Sequence, residues 1–304
     1  QDRKLALVCA FLKLLNHLHD TVAAGRGHSV TLFDKAEQIG GQFNMAKEIP
    51  GKEEFHETIR YFNRQLELAK VEVELGKKVS ASDLINAGFD EIVLATGVTP
   101  RTPSIEGINH ASVLSYVDVL AKKAEVGTRV AVIGAGGIGF DVCEFLAHRG
   151  ESTSMNIGAY LREWGVEQEV ESRGGLSVSG RELPANPREV TMLQRSRGKM
   201  GAKLGKTTGW IHRASLKNRD VRMISNVEYT KINDEGLHYL QNNEPRLLAV
   251  DNIIICAGQL PNRGLASELE EKGLRPHLIG GADIAAELDA KRAFSQGARL
   301  AATI

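Results

Sequence analysis

Short apolar runs alternate with longer stretches of helical periodicity along the chain. Runs made mostly of Val, Ile and Leu predict strands at residues 4–8, 29–33, 71–75, 91–95, 129–133, 190–193, 221–224 and 252–256. Residues 53–68 have a helical pattern instead, because Phe55, Ile59, Phe62 and Leu66 fall on one face of a helix. Continuous apolar strands are typical of parallel sheets that helices cover on both faces. The alternation therefore predicts an α/β fold built on parallel sheets.

One stretch, residues 150–188, interrupts this alternation. It is rich in Gly, Ser and Glu and has little periodicity, so it predicts a partly irregular insertion. A strand near Lys4 begins one β–α series, and a strand near Arg129 begins another. Two such series within 304 residues indicate two Rossmann-like nucleotide-binding units in tandem.

The charge balance excludes one class of partner. The chain carries 38 basic and 38 acidic residues, so its formal net charge is zero. A protein that binds nucleic acid through its phosphates needs a basic excess, so nucleic acid is not an expected partner. No apolar run approaches the ~18 residues of a membrane span, so a membrane partner is not expected either.

The cysteines also limit the chemistry. Cys9, Cys143 and Cys256 are far apart, and no CxxC or CxxxxC pair occurs. Local spacing therefore builds neither a redox dithiol nor a metal site, and we assign no metal ligands. Free thiols of this kind are typical of a protein in the reducing cytoplasm, which is the location we expect.

The strongest motif follows the predicted strand at 129–133. Gly134, Gly136 and Gly139 have GxGxxG spacing, and a helical pattern begins directly after them. In this context the first glycine permits a tight turn, the second lets a pyrophosphate approach the backbone, and the third lets helix and strand pack closely. Together with Gly137, they predict a dinucleotide site at a helix N-terminus.

The next strand indicates which dinucleotide binds. NAD sites usually carry a carboxylate at the end of that strand, whereas here it ends in Gln194 and Arg195, with Arg197 and Lys199 beyond. Basic groups at this position remove the repulsion of a 2′-phosphate and donate charge-assisted hydrogen bonds to it. The loop therefore favours NADPH over NADH, and the alternative is a solvated loop without a ligand.

Small, acidic or amide residues follow several other strands, where a second cofactor could contact the ends of those strands. A glycine after a buried strand permits close approach of a ligand, and a carboxylate there can accept hydrogen bonds from a ribose or polyol. The residues in question are Asp34, Gly40, Gly41, Gln42, Thr96, Gly97, Gly258, Gly281 and Asp283.

Longer segments carry a resemblance to a known family. They are VTLFD (30–34), IGGQFNMAKEIPGKEEF (39–55), ATGVTPR (95–101), VLSYVDVL (113–120), GAGGIGFD (134–141), GESTSMN (150–156), LGKTTGWIHR (204–213), CAGQLPNR (256–263) and HLIGGADIAAELDAKRA (277–293). On these segments the chain resembles the FAD- and NADPH-binding half of the bacterial NADPH-dependent 2,4-dienoyl-CoA reductases, which are trimethylamine dehydrogenase-like flavoproteins. The resemblance extends over residues 24–304.

The resemblance implies a domain organisation and a set of contacts. A discontinuous FAD-binding-type domain would comprise residues 1–115 and 251–304, and an NADPH-binding Rossmann domain would comprise residues 116–250. Contacts to FAD would come from Asp34, Gly41, Gln42, Thr96, Gly97 and Asp283. Contacts to NADPH would come from Gly134, Gly136, Gly139 and Arg195, while Gly40, Gly137, Arg197, Lys199, Gly258 and Gly281 complete the predicted cofactor-binding set. Asp141 holds the place of an acidic residue on the nucleotide helix of related reductases, or it is a solvated charge.

The resemblance also implies a reaction. In that family the whole chain begins with a barrel that carries FMN, a 4Fe–4S cluster and the acyl-CoA site. Hydride passes from NADPH to FAD, and electrons then reach FMN to reduce 2,4-dienoyl-CoA in the β-oxidation of unsaturated fatty acids. This stretch would then lack the substrate-reducing site. Hydride transfer between two cofactors demands no protein acid or base, so no catalytic side chain is assigned.

The chain departs from the family after its first strand. Family members have a glycine loop there for the FAD pyrophosphate, whereas this chain has CAFLKLLN at 9–16 and no glycine between residues 1 and 24. Phe11 or Leu12 in that loop would block close approach of the pyrophosphate. Three alternatives stay open: a working reductase half, a truncated or non-catalytic nucleotide-binding product with an impaired FAD site, or the reductase half of a related flavoenzyme with another substrate.

Overall fold

The computed structural model describes residues 3–9, 17–169, 172–183, 185–285 and 290–304. Within them the chain forms two compact units. Unit 1 comprises Gln1–Lys47, Glu54–Thr99 and Gln259–Ile304, and unit 2 comprises Glu48–Glu53 and Pro100–Gly258.

Strands and helices alternate along most of the chain. The strands are β1 (Lys4–Cys9), β2 (Ser29–Asp34), β3 (Glu72–Glu74), β4 (Glu91–Ala95), β5 (Val98–Pro100), β6 (Val113–Ser115), β7 (Arg129–Ile133), β8 (Glu189–Leu193), β9 (Arg222–Ile224), β10 (Val227–Asn233), β11 (Gly236–Gln241), β12 (Glu244–Leu248), β13 (Asn252–Ile255), β14 (Gln259–Pro261) and β15 (His277–Leu278). The helices are α1 (His17–Gly25), α2 (Phe43–Ala46), α3 (Phe55–Leu68), α4 (Ala81–Asn86), α5 (Tyr116–Leu120), α6 (Gly137–Leu146), α7 (Ile157–Trp164), α8 (Gly209–Asn218), α9 (Gly264–Glu271) and α10 (Ala290–Thr303).

Unit 1 is built on a parallel five-stranded sheet in the order β15-β4-β1-β2-β3. Side chains of one strand alternate between two cores, so Leu5 and Leu7 lie in one apolar cluster while Ala6 and Val8 lie in another. The first cluster includes Phe62 of α3, and the second includes residues of α4 and α9. Helices therefore cover both faces, which explains why β1 is apolar at every one of these positions.

Unit 2 has a second parallel sheet, in the order β6-β13-β7-β8-β9, and a separate antiparallel sheet in the order β10-β11-β12. Ile133 and Ile255 of the parallel sheet share one core with Leu237 and Tyr239 of the antiparallel sheet. The predicted α/β fold with parallel sheets is confirmed, and all eight predicted strands occur with their ends shifted by at most one residue.

The sequence pattern did not predict the antiparallel sheet. Most of β12 is exposed, so its apolar alternation is weak. A local signal was present nonetheless, because two asparagines, Asn242 and Asn243, stand between β11 and β12. Asparagine tolerates positive φ angles, and here the two angles are 53° and 64°. Two such residues in succession are typical of the tight turn of a β-hairpin.

The insertion at 150–188 is less irregular than its composition indicates. It contains a 3₁₀ turn at Thr153–Met155, helix α7, and a second 3₁₀ turn at Arg173–Gly175. An isolated bridge joins Val166 to Leu176. Across the described part of the chain, no helix is both long and apolar enough to cross a membrane.

Candidate cofactor-binding sites

Two glycines shape the turn between β7 and α6, and backbone atoms occupy the space where a Cβ atom would lie at each of them. Gly134 has a φ angle of 119°, and a Cβ there would lie 2.3 Å from the carbonyl oxygen of Cys256. A Cβ on Gly139 would lie 1.9 Å from the carbonyl oxygen of Gly134. The turn therefore lies against the end of β13, and α6 packs directly on the turn. Any side chain at either position would force the backbone to move.

Gly136 and Gly137 differ from these two residues because nothing lies near the space that a Cβ would fill. Gly136 is the N-cap of α6 and has extended backbone angles that any residue can adopt, with φ −83° and ψ −176°. The fold itself thus does not require glycine here, whereas a ligand that touches the backbone would. The first-turn amides of a helix have no partner within the helix and attract anions. The open space above this turn fits a pyrophosphate.

A basic loop follows β8, the neighbour of β7 in the sheet. Arg195, Arg197 and Lys199 are all exposed in it, and Arg197 Nε donates to Asn226 Oδ1 at 3.1 Å. Gln194 stabilises the loop, since its amide nitrogen donates to the carbonyl oxygens of residues 196 and 198. Because β7 and β8 are parallel, this loop and the glycine turn lie at the same edge of the sheet. The structure thus places the predicted basic residues beside the predicted phosphate turn.

Asp141, on the first turns of α6, is paired rather than solvated. Lys52 Nζ donates to Asp141 Oδ1 at 2.6 Å, and both side chains are about three-quarters buried. Lys52 follows the turn at Gly51, whose φ angle is 86°. His212 of α8 is nearby, and its burial, with Lys52 as a second cause, lowers the pKa of its imidazole. Lys52 was not among the site residues predicted from sequence, although it belongs to the segment at 39–55 that resembles the family.

In unit 1, predicted site residues collect at the carboxyl edge of the sheet. Asp34 ends β2 and is almost fully buried, and its Oδ1 accepts a hydrogen bond from the backbone nitrogen of Ala36 at 3.0 Å. Thr96 and Gly97 follow β4 directly, and the Thr96 hydroxyl donates to the carbonyl oxygen of Asn262 at 2.5 Å. Gly97 has a φ angle of 68°. Since β2 and β4 flank β1 in parallel, these residues lie on either side of its carboxyl end.

Gly281 and Asp283 belong to a turn that extends β15 at the same edge. Gly281 is buried within the 3₁₀ turn Gly280–Ala282, which immediately precedes Asp283. Gln296 of α10 accepts a hydrogen bond from the backbone nitrogen of Gly280 and donates one to Asp283 Oδ2, each at 2.8 Å. These two bonds fix the carboxylate of Asp283 in place.

Gln42 supplies an independent sign of a ligand in unit 1. It follows Gly40 and Gly41, whose φ angles of 118° and 52° turn the chain after β2. Its Nε2 atom is buried and makes no hydrogen bond within the described residues. A buried donor without a partner is costly, so such a group is usually satisfied by a ligand or by water. The site therefore fits a group with hydrogen-bond acceptors, such as FAD.

Two further predicted features differ from these groups. Gly258 follows β13 in unit 2, and a Cβ on it would meet Arg101 Nε at 3.2 Å, so a side chain and not open space lies there. The glycine-free loop with Phe11 and Leu12 lies at 10–16, outside the described residues, so its effect on FAD stays a prediction from sequence.

A family model for pyridine nucleotide-disulphide oxidoreductases matches residues 18–284. The chain belongs to this family. Its two-unit FAD/NAD(P)-binding fold and its classification as a flavoprotein oxidoreductase follow from that membership.

Several proteins that resemble the chain in sequence or in structure are considerably longer than it. The metal reductase of Desulforamulus reducens is 27% identical over 265 residues, which are 86% of this chain and 38% of the relative. The cinnamate reductase of Clostridium sporogenes is 28% identical over 267 residues, which are 86% of this chain and 34% of the relative. A solved 2-naphthoyl-CoA reductase superposes with a TM-score of 0.81 at 22% identity, over 100% of this chain and 40% of its own. The chain thus spans less than half the length of each.

The family name refers to disulphides, but the two thiols whose surroundings the structure describes, Cys143 and Cys256, are unsuited to that chemistry. Both are free and buried. Burial raises the pKa of both thiols, so both remain protonated at neutral pH. A protonated, inaccessible thiol does not attack a disulphide. In the part of the chain that the structure describes, no group of three or more His, Cys, Asp or Glu side chains is arranged to hold a metal.

Proposed function

We propose that this chain is the NADPH-oxidising, FAD-reducing part of a flavoenzyme of the 2,4-dienoyl-CoA reductase type. The observation that carries the proposal is in unit 2. Open space lies above Gly136 and Gly137, next to a loop that presents Arg195, Arg197 and Lys199. A pyrophosphate fits the first feature, and the 2′-phosphate of NADPH fits the second.

The chain contributes binding and orientation. When bound, NADPH supplies a hydride and FAD accepts it, so the cofactors carry the reactivity. Gly134 and Gly139 fix the turn whose α6 amides would bind the phosphates. In unit 1, the carboxylate of Asp34 would accept hydrogen bonds from ribose hydroxyls. Lys52 holds the carboxylate of Asp141 in one orientation on the nucleotide helix. Because no proton moves to or from the protein in this step, correct positioning of the two cofactors is the chain's contribution to the rate of hydride transfer.

The rest of the proposed enzyme lies in a partner domain. We propose a barrel that carries FMN and a 4Fe–4S cluster and binds the acyl-CoA, with electrons passing to it from FAD, in a cytoplasmic protein. Two observations support this division. The relatives have more than half of their length outside the matched region, and one relative of the same fold is named for reduction of an aromatic acyl-CoA.

An exchange of charge at Arg195 tests the NADPH assignment. Arg195→Glu removes a guanidinium and adds a repelling carboxylate near the 2′-phosphate. A lost charge-assisted hydrogen bond is worth about 1.5–3 kcal/mol, so we expect the Kd for NADPH to rise on the order of 100-fold. The Kd for NADH, which lacks that phosphate, should change by less than about threefold. Fluorescence titration of both nucleotides measures this selectivity.

Arg222→Glu is the matched control. Arg222 is also exposed in unit 2, but it begins β9 and so lies at the amino edge of the sheet, opposite the glycine turn. This variant should bind both nucleotides like the wild type. Equal losses of NADPH and NADH in Arg195→Glu would refute the role in 2′-phosphate binding.

Two other functions are favoured by specific observations. The names of the relatives, a metal reductase and a cinnamate reductase, favour the reductase half of a related flavoenzyme with another substrate. The glycine-free sequence at 9–16 favours a non-catalytic product that binds dinucleotide without flavin. Absorbance in the flavin bands of the purified protein, followed by NADPH-dependent reduction of an artificial acceptor, separates the non-catalytic alternative from both reductases.

A further inference from the structure

A buried guanidinium joins the insertion at 150–188 to the nucleotide helix. Arg219, the C-cap residue of α8, has a side chain that is only 4% exposed. Its Nη2 donates to Glu163 Oε1 of α7 at 2.7 Å, and its Nε lies 3.8 Å from Glu144 Oε1 of α6. One arginine thus bridges carboxylates on two helices, of which α6 begins at the glycine turn.

Neutral groups complete this cluster. The hydroxyl of Ser215 donates to Glu144 Oε1 at 2.6 Å, and the hydroxyl of Thr153 donates to Glu163 Oε2. The side chain of Asn186 donates to the carbonyl oxygen of Arg219 at 2.6 Å. The insertion is therefore attached to Arg219 at two of its own positions, Glu163 and Asn186. The hydroxyls of Thr153 and Ser215 orient the two carboxylates that flank the guanidinium.

The charges of the cluster are unequal. Glu144 and Glu163 oppose a single guanidinium in a site with little solvent. Arg219 Nε makes no hydrogen bond within the described residues, so Glu144 is the less well paired of the two acids. Burial raises the pKa of Glu144, and repulsion by Glu163 acts in the same direction. Removing one partner of such a group leaves an uncompensated buried charge, which is strongly destabilising.

The cluster borders a cavity of about 300 Å³ between α6, α7 and α8. Other titratable or charged side chains face it from every element around Glu144. They are Asp141 on α6, His148 just after α6, Tyr160 on α7, His212 on α8, and Lys52 on the segment before α3. Lys52 and Asp141 neutralise each other, so the excess negative charge remains with the two glutamates.

We propose that Arg219 is a positioning residue for dinucleotide binding, because it holds α7 and the insertion against α6 by compensating Glu144 and Glu163. Without this guanidinium, two ionised carboxylates would repel each other across the space between α6 and α7. The two helices would move apart while both carboxylates are charged, and they would return when acid neutralises Glu144, whose pKa burial already raises. Movement of α6 would shift the amides at its first turn, which would then no longer hold the phosphates in place.

The test is the pH dependence of NADP⁺ binding by the full chain carrying Arg219→Met. At pH 8 we expect the Kd of this variant for NADP⁺ to exceed that of wild type by about tenfold or more. At pH 5.5 the two Kd values should lie within about threefold of each other. The variant Arg219→Met/Glu144→Gln/Glu163→Gln has no charge left to compensate. Its Kd for NADP⁺ should therefore stay close to that of wild type at both pH values. Arg219→Lys keeps the charge and should show no pH-dependent loss.

Arg188→Met is the matched control. Arg188 is a partly buried guanidinium of unit 2 that donates to the backbone carbonyl oxygens of residues 126, 127 and 146. Its loss can weaken packing, but the effect should not vary with pH. A loss in Arg219→Met that is equal at all pH values, or that persists in the neutral triple variant, would overturn the proposal.

A second readout separates this inference from the NADPH assignment on which its binding test rests. Limited proteolysis within residues 172–183 reports directly on the attachment of the insertion. Faster cleavage of Arg219→Met at pH 8 than at pH 5.5, relative to wild type, and normal cleavage of the triple variant support the positioning role. If wild type fails to bind NADP⁺, the proposed function fails, and the cleavage rates alone then decide the role of Arg219.

Discussion

The four glycines around α6 should respond differently to the addition of one methyl group. Gly136→Ala places a Cβ in open space on a backbone that already has ordinary extended angles. Gly139→Ala places its Cβ 1.9 Å from the carbonyl oxygen of Gly134. The first change should therefore affect the ligand, and the second should affect the fold.

The magnitudes follow from these distances. Alanine at an N-cap in place of glycine costs about 1 kcal/mol or less in unfolding free energy. If the methyl group displaces the pyrophosphate from two amides, at about 1.5 kcal/mol or more for each charged hydrogen bond, the Kd for NADPH rises roughly 100-fold or more. In Gly139→Ala the backbone must move by about 1 Å to relieve the overlap, which costs on the order of 2–4 kcal/mol.

Two measurements separate the effects. Urea denaturation gives the unfolding free energy, and fluorescence titration gives the Kd for NADPH. Gly264→Ala serves as the control, since Gly264 also stands at the start of a helix, α9, with open space around its Cβ position and no positive φ. A Gly136→Ala protein that binds NADPH within about threefold of wild type would refute the phosphate cradle.

Three further predictions concern stability and the flavin. Because burial raises the pKa of Glu144 above its usual 4.5, the unfolding free energy should fall as pH rises through the raised pKa. Urea denaturation at several pH values measures this dependence, and Glu144→Gln should weaken it. An unchanged pH dependence in Glu144→Gln would contradict the prediction. Asp34→Asn should lower FAD affinity by about tenfold without altering NADP⁺ binding, and parallel losses of both ligands would indicate general unfolding instead. Introducing GxGxxG spacing at residues 9–14 should raise flavin absorbance per chain, and no rise would show that this loop does not limit FAD binding.

Some features of the two units could be predicted from sequence because they arise from neighbouring residues. Continuous apolar runs such as the one at 130–133 predicted buried parallel strands, and the glycine spacing after that run predicted the turn. The antiparallel sheet was missed because most of β12 is exposed and its pattern is weak. Its hairpin residues, Asn242 and Asn243, did carry a local signal, because asparagine tolerates the positive φ angles that a tight hairpin turn requires.

The sequence alone determined the fold class, the location of the glycine turn and the basic character of the loop after β8, since each depends on residues a few positions apart. Tertiary structure decided which charges are buried together. Arg219 and Glu163 are 56 positions apart, and Lys52 and Asp141 are 89 apart. Each pair forms because segments distant in sequence pack against each other. The energy of an ion pair depends on the distance between its charges and on their burial. A local pattern along the chain specifies neither that distance nor that burial.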